Sequence, residues 1–468
     1  MKACETRRTA FVAHAYTGVH LGACAGLAGL ASLAVFAGLA SPVVARAQST
    51  SVSPFADTTG QFLSPPGGLP RDWAGVRSLG MGDAFTTVGN DELAAFTNPA
   101  GLARSRNPRS KAGLHDFSFP GLVVGGNSTG AKELAKGGKP ALWPRKLAEA
   151  SQAAPGDLTY GETQAYPYAI FGGRGSPTFL FGLPARSQLL FQASPTSASP
   201  GARSRTLLFS ETTMSAALGI ADTSRGGSFA YGLMLRPDMR YSMLSTDADT
   251  ATLTAASLRD GVKAGAVRTR AVALDAGVLF TAADFWFPTL GVAVRNAPTG
   301  CAKDYVNPAN GKTVEMCGTR RTPTGGQDPV DATTGEEIAI PTTRVDPTEL
   351  RVGFSITPRG RVDGTKINLR LAVDVFPIPV TTGGKRYGVD DVPLNEMIHA
   401  GTELFFGNAL TDRGLSLRAG MNDSRPTYGA TVDFLGVRLD AAHYSVRVGL
   451  RDRKRYDDRY LIGLSAGW

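Results

Sequence analysis

The C-terminal stretch constrains the fold most tightly. Tyr460, Ile462, Leu464, Ala466 and Trp468 alternate with Leu461, Gly463, Ser465 and Gly467, the period of a strand with two unlike faces. The same alternation recurs upstream. Leu350, Val352, Phe354 and Ile356 interleave with Arg351, Gly353 and Ser355, and Ile367, Leu369, Leu371, Val373 and Val375 with Asn368, Arg370, Ala372 and Asp374. Ile398, Ala400, Thr402, Leu404 and Phe406 interleave with His399, Gly401 and Glu403, and Leu415, Leu417, Ala419 and Met421 with Ser416, Arg418 and Gly420. One face is apolar throughout.

A soluble sandwich also alternates, but its second face meets water and is rich in Lys and Glu. Here the second face is mostly Gly, Ser, Thr, Arg and Asp, and charged residues make up only 19% of a chain with 56 glycines. Strands are expected at 113–125, 166–173, 178–193, 204–221, 227–243, 265–281, 286–296, 347–357, 366–376, 396–407, 414–421, 426–434, 436–449 and 459–468. Connections 126–165, 244–264, 297–346 and 377–395 are long, whereas 174–177, 222–226, 282–285 and 435 are short. Long loops at one end and tight turns at the other are the signature of an outer-membrane barrel. The expected fold is therefore all-β: a transmembrane antiparallel barrel of about fourteen strands.

Residues 1–47 read as a signal peptide: Arg7 and Arg8, an apolar run from Leu21 to Ala40, then Ala45-Arg46-Ala47 before Gln48. Retention as a transmembrane helix is the alternative, and the Ala/Gly-rich run ending in Ala-x-Ala favours cleavage. Removing Lys2, Arg7, Arg8 and Arg46 with Glu5 lowers the net charge from +9 to +6. No basic run interleaved with aromatics follows, so nucleic acid is not an expected partner. Cleavage also removes Cys4 and Cys24, and the remaining pair, Cys301 and Cys317, favours a disulfide in an exported chain. No histidine lies near that pair, so no metal site is expected there, and no cofactor motif is present.

Between leader and strands lies R-S-L-G-M-G-D-A-F-T-T-V-G-N-D-E-L-A-A-F-T-N-P-A-G-L, Arg77 to Leu102. Gly80, Gly82 and Gly89 allow close approach and positive φ, Asn90 can cap a short helix whose first turn carries Asp91 and Glu92 and whose small apolar face is Leu93–Phe96, Pro99 limits Asn98, and Gly101 lets the chain turn away. Gly75, Arg77–Gly82, Ala84, Phe85 and Asn98-Pro99-Ala100-Gly101-Leu102 resemble the N-terminal plug of the FadL-like outer-membrane superfamily, which includes fatty-acid and hydrocarbon transporters and PorV-type barrels. Asp83 departs from that pattern, standing where a small residue is common. The resemblance implies a plug or gate formed by Gly80, Gly82, Asn98, Pro99, Ala100 and Gly101 within residues 48–110, ahead of a barrel spanning 111–468. Asn98-Pro99-Ala100 is expected inside that barrel, near the periplasmic end of its first strand. The aromatic C-terminus resembles the last strand of bacterial outer-membrane barrels, implying recognition of Trp468 by the barrel-assembly machinery.

Catalytic signatures are missing. Gly125–Lys132 falls short of a phosphate-binding loop because Ala131 separates Gly130 from Lys132 and Glu133 follows. His115-Asp116 and His399 with Glu403 stand without a G-x-S-x-G nucleophile. Arg351, Arg370, Asp374, His399, Glu403, Arg418, Asp433, Arg438 and Asp440 fall on inward positions, both signs mixed, and read as a lumen joined by salt bridges rather than an ion-selective pore. Within the third strand, Gly182 and Pro184 interrupt two apolar runs, and Pro184 brings no ladder donor. The resemblance implies passive uptake of hydrophobic small molecules, with a lateral opening to membrane lipid at this interruption. The alternative is a PorV-type scaffold or shuttle for secreted proteins.

Overall fold

The computed structural model describes residues 73–466 apart from short stretches, among them 105–112, 194–205 and 326–344. The leader, the lead-in to residue 72 and Trp468 lie outside the described residues. The chain forms a closed antiparallel barrel of fourteen strands. In order these are β1 (Gly113–Ser118 and Leu122–Asn127), β2 (Leu158–Ala165 and Tyr168–Gly172), β3 (Thr178–Gly182 and Ala185–Ala193), β4 (Thr206–Ser215 and Ala217–Thr223) and β5 (Phe229–Ser245). There follow β6 (Val267–Thr281), β7 (Thr289–Arg295), β8 (Glu349–Ile356), β9 (Thr365–Ile378) and β10 (Ile398–Asn408). The last are β11 (Arg413–Asn422), β12 (Arg425–Phe434), β13 (Val437–Val448) and β14 (Arg455–Ala466). Leu122–Asn127 of β1 pairs with β14 from Leu464 to Arg459, closing the wall. No helix among the described residues is long and apolar enough to cross a membrane.

The outer face is the apolar one. Phe181, Leu233, Val272, Phe280, Leu290, Phe354 and Ile462 are all exposed, Ile462 at 60%, as a lipid-facing band requires. Their neighbours in sequence, Gly182, Gly232, Ala271, Leu279, Gly291, Gly353 and Leu461, are buried inside.

Two expectations need correction. The second strand begins at Leu158, not 166. There the helices α2 (Ser128–Ala135) and α3 (Trp143–Ala153) fold back onto the wall. Leu147 of α3 packs with Phe191 and Leu208, beside Leu189 and Met243, so part of the outer rim is covered by a helix and carries Gly161 instead of an apolar side chain. Secondly, the chain does not turn away at Gly101. Pro99–Arg104 is a 3-10 helix in which the Gly101 N–H donates to Asn98 O at 2.9 Å, with Pro99 at its first position, where a missing N–H does no harm.

At the long-loop end a smaller sheet includes Gly300–Val306, Thr313–Arg320, Val380–Thr382 and Lys385–Tyr387. Cys301 and Cys317, opposite one another in it, are disulfide-bonded.

Candidate functional site

The segment from α1 (Val76–Gly80) to Arg104 lies against the inner face of the wall and runs around it. What makes room for it is glycine. A Cβ on Gly463 of β14 would come within 3.4 Å of Val76, and one on Gly429 of β12 within 3.1 Å of Gly80 Cα. On β10 and β11, Gly401 and Gly420 face the Met81 backbone with room for nothing larger, at 2.3 Å each. Asp374 of β9 accepts the N–H groups of Phe85 (2.8 Å) and Thr86 (2.7 Å). Gly353 and Gly291 meet Thr86 and Thr87, Gly277 meets Asn98, Gly232 meets Pro99 and Ala100, and Gly219 meets Leu102. The segment thus visits the strands from β14 back to β4, forming a collar. Gly232 and Gly277 are direct cross-strand partners, as are Gly291 with Gly353 and Gly401 with Gly420. One of the three segment glycines expected to reach positive φ does so, Gly82 at 67°, followed by Asp83 at 65°.

Asn98-Pro99-Ala100 is inside the barrel, but against β5 and β6 rather than the first strand. Asn98 Nδ2 donates to Thr86 O at 3.0 Å and to Val278 O at 3.3 Å, while its Oδ1 accepts from Ala100 N at 3.1 Å. The collar therefore holds its own two limbs together through one amide. Asn90, expected as a helix cap, accepts from Arg77 Nη1 at 2.8 Å.

Several charged inward residues pair with one another and with the collar. Glu403 accepts from Arg77, Arg370 Nη1 (2.7 Å), Arg418 Nε (2.8 Å) and Ser416 (2.8 Å). Arg438 lies 3.6 Å from Asp433, and Arg351 lies 3.6 Å from Asp83 of the collar. His399 contacts Gly82 O through Nδ1 at 3.0 Å and stacks on Phe376, so it too is a collar contact. A second set went unread: Glu162 with Arg186 at 2.7 Å, Arg236 with Asp275 at 3.8 Å, and Arg321 with Asp238 at 2.7 Å. The signal for part of it was present, since Arg236, Asp238 and Arg240 recur at every second place in β5.

Near Pro167 and Pro184 the arc of β2 and β3 differs from the rest. Its inward side chains there are apolar, Tyr166, Ile170 and Leu180, in one cluster with Trp73 and Phe96 of the collar. The strands break at Tyr166–Pro167 in β2 and Leu183–Pro184 in β3, yet the register is kept: Tyr168 faces Gly182 and Ala165 faces Ala185. Leu183 N donates to Pro167 O at 2.9 Å, Ser215 N to Pro184 O at 2.9 Å, and Ala216 N to Pro237 O at 3.0 Å. In each pair the reciprocal bond is absent because proline has no N–H. Three adjacent seams, β2–β3, β3–β4 and β4–β5, thus each lose a bond along one diagonal. Each loss is about 1 kcal/mol in water, and several in hydrocarbon. Behind this line lies a small pocket lined by Leu93, Phe96, Tyr166, Leu180, Gly182 and Pro184, among others. A larger one adjoins it, sharing Leu93, Tyr166 and Tyr168.

No protein-family model matches the sequence, and neither does any curated protein. Solved structures do match. One described as a TodX monoaromatic hydrocarbon channel deletion mutant shares 12% identity over 84% of this chain and 98% of its own, with a TM-score of 0.45. The Pseudomonas putida toluene transporter TodX matches at 13% identity, 84% and 97% coverage and a TM-score of 0.37. The Ralstonia pickettii toluene transporter TbuX matches at 11%, 84% and 98%, and 0.40.

Proposed function

We propose that this barrel sits in the bacterial outer membrane and takes up hydrophobic small molecules, such as fatty acids or hydrocarbons, by diffusion. The collar is the plug, the long-loop end is extracellular, and the exit is lateral, through the weakened wall at Gly182 and Pro184. One observation carries this reading: an apolar cavity lies directly behind those two residues, bounded on the inside by Leu93 and Phe96 of the collar. A hydrophobic ligand held there is one side chain away from membrane lipid. Water-filled conduction is disfavoured, because the collar and buried ion pairs occupy the lumen.

The scaffold reading keeps support from the ordered elements at the long-loop end: α2, α3, the helix Ala255–Gly265 and the disulfide-bonded sheet. The two separate in vesicles. Barrels refolded into liposomes should speed equilibration of a labelled monoaromatic hydrocarbon or fatty acid over protein-free liposomes. Equal rates would leave the scaffold reading standing.

A further inference from the structure

Along the outward face of β6 the side chains run Phe280, Val278, Leu274 and Val272, then Arg270 and Arg268. The first four are exposed apolar groups, Val272 at 52%. The last two are charged. β6 begins at the long-loop end, directly after the helix Ala255–Gly265. At about 3.3 Å per residue and a tilt of about 40°, Phe280 to Arg270 rises roughly 25 Å, the height of an apolar band. Arg270 therefore stands at the edge of the band, where acyl chains give way to headgroups.

Neighbouring strands extend the patch. Arg268 lies opposite Tyr241 of β5, its guanidinium 6.0 Å from the ring centroid, at the depth where tyrosines gather. On the other edge of β6, Thr322–Gly325 pairs with it, Thr322 opposite Arg270. Two positions earlier, Arg320 is exposed, while Arg321 between them is buried and bound to Asp238 and Asp346 inside. Arg320 and Thr322 thus share the outward side. Among the described residues, neither Arg270 nor Arg320 pairs with a carboxylate. The described outward positions of β5, β6 and Thr322–Gly325 carry no acidic residue.

We infer that this patch binds a lipid phosphomonoester of the leaflet facing the long loops, an inference that rests on the outer-membrane placement proposed above. That is the headgroup chemistry of the phosphorylated glucosamine lipid that forms the external leaflet of bacterial outer membranes. A phosphomonoester carries about −1.5 to −2 charge and three acceptor oxygens, which suits several guanidinium groups on one face. A phosphodiester brings only about one charge. The acyl chains lie along Val272, Leu274 and Leu235, directly below the arginines.

Native mass spectrometry of the full-length protein in a mild detergent tests this. The probe is bisphosphorylated lipid A, compared with its fully dephosphorylated form and with phosphatidylglycerol. The wild type should bind the probe about tenfold or more tightly than either, the worth of one charge-assisted hydrogen bond. Arg270→Gln should weaken probe binding about tenfold on the same grounds, and adding Arg320→Gln should weaken it further. Arg425→Gln, exposed at the same end of the barrel on β12, should leave it unchanged. Heat-modifiable mobility checks that each barrel is folded, and Arg270, exposed and without a carboxylate partner, can be replaced without opening the wall. Equal affinity for the dephosphorylated lipid, for phosphatidylglycerol or across the folded variants would overturn the assignment. Fractionation of the producing cells reports the membrane placement on its own. A barrel found in the outer membrane that shows no preference for phosphate would sink this inference and leave that placement standing.

Discussion

Arg77 in the collar and Glu403 in β10 stand 326 positions apart and form a two-bond ion pair, Nε to Oε1 at 3.0 Å and Nη2 to Oε2 at 2.7 Å. Glu403 is 1% exposed and holds Arg370 and Arg418 as well. It is the point where the collar is fastened to three neighbouring strands, β9, β10 and β11.

Glu403→Gln should therefore destabilise the barrel by about 3–5 kcal/mol, because breaking a buried pair leaves uncompensated charge behind. Here three guanidinium groups would share one neutral amide. The unfolding midpoint of the heat-modifiable band should fall, and more than for Arg77→Leu, which leaves Glu403 paired with Arg370 and Arg418. An unchanged midpoint would mean that the collar is not fastened here.

The glycines facing the collar should separate into two kinds. A Cβ on Gly277 would lie 1.9 Å from Asn98 Oδ1, whereas one on Gly232 would meet Pro99 C and O and Ala100 N, all backbone. Either alanine alone should destabilise by about 1–3 kcal/mol, the usual range for overpacking. Adding Asn98→Ala should recover much of the loss for Gly277→Ala and none for Gly232→Ala. A double-mutant cycle on refolded protein measures the difference.

Cys301 and Cys317 should resist alkylation in unreduced, native protein. Closing a loop of this length stabilises by about 3 kcal/mol. Cys301→Ser should thus expose the hairpin to protease added outside intact cells while the barrel band keeps its heat-modifiable shift. Free labelling of both thiols without reductant would contradict the pairing.

The outer face of the wall was legible from alternation because lipid imposes the same demand on every second residue from β8 to β14. The second strand was obscured where that demand lapses: Gly161 faces Leu147 of α3, not lipid, and Glu162 and Gln164 face inward. The collar's path was not legible. Its inward glycines were visible, but glycine on a strand signals close approach without naming the partner. Only registers such as Gly401 opposite Gly420 align them. The diagonal of proline-weakened seams escaped for a related reason. Pro167, Pro184 and Pro237 are far apart in sequence, and pairing between strands brings their missing donors into line.

The most direct measurement is the initial rate of uptake of a labelled hydrophobic ligand by cells carrying wild-type protein or Pro184→Val. Valine restores a donor that can reach Ser215 O and complete the β3–β4 pair. Expression of the wild type should raise uptake above vector-only cells. Pro184→Val should return it most of the way to that baseline, with the same amount of folded barrel in the outer membrane. Uptake by the variant equal to wild type would contradict an exit at this seam.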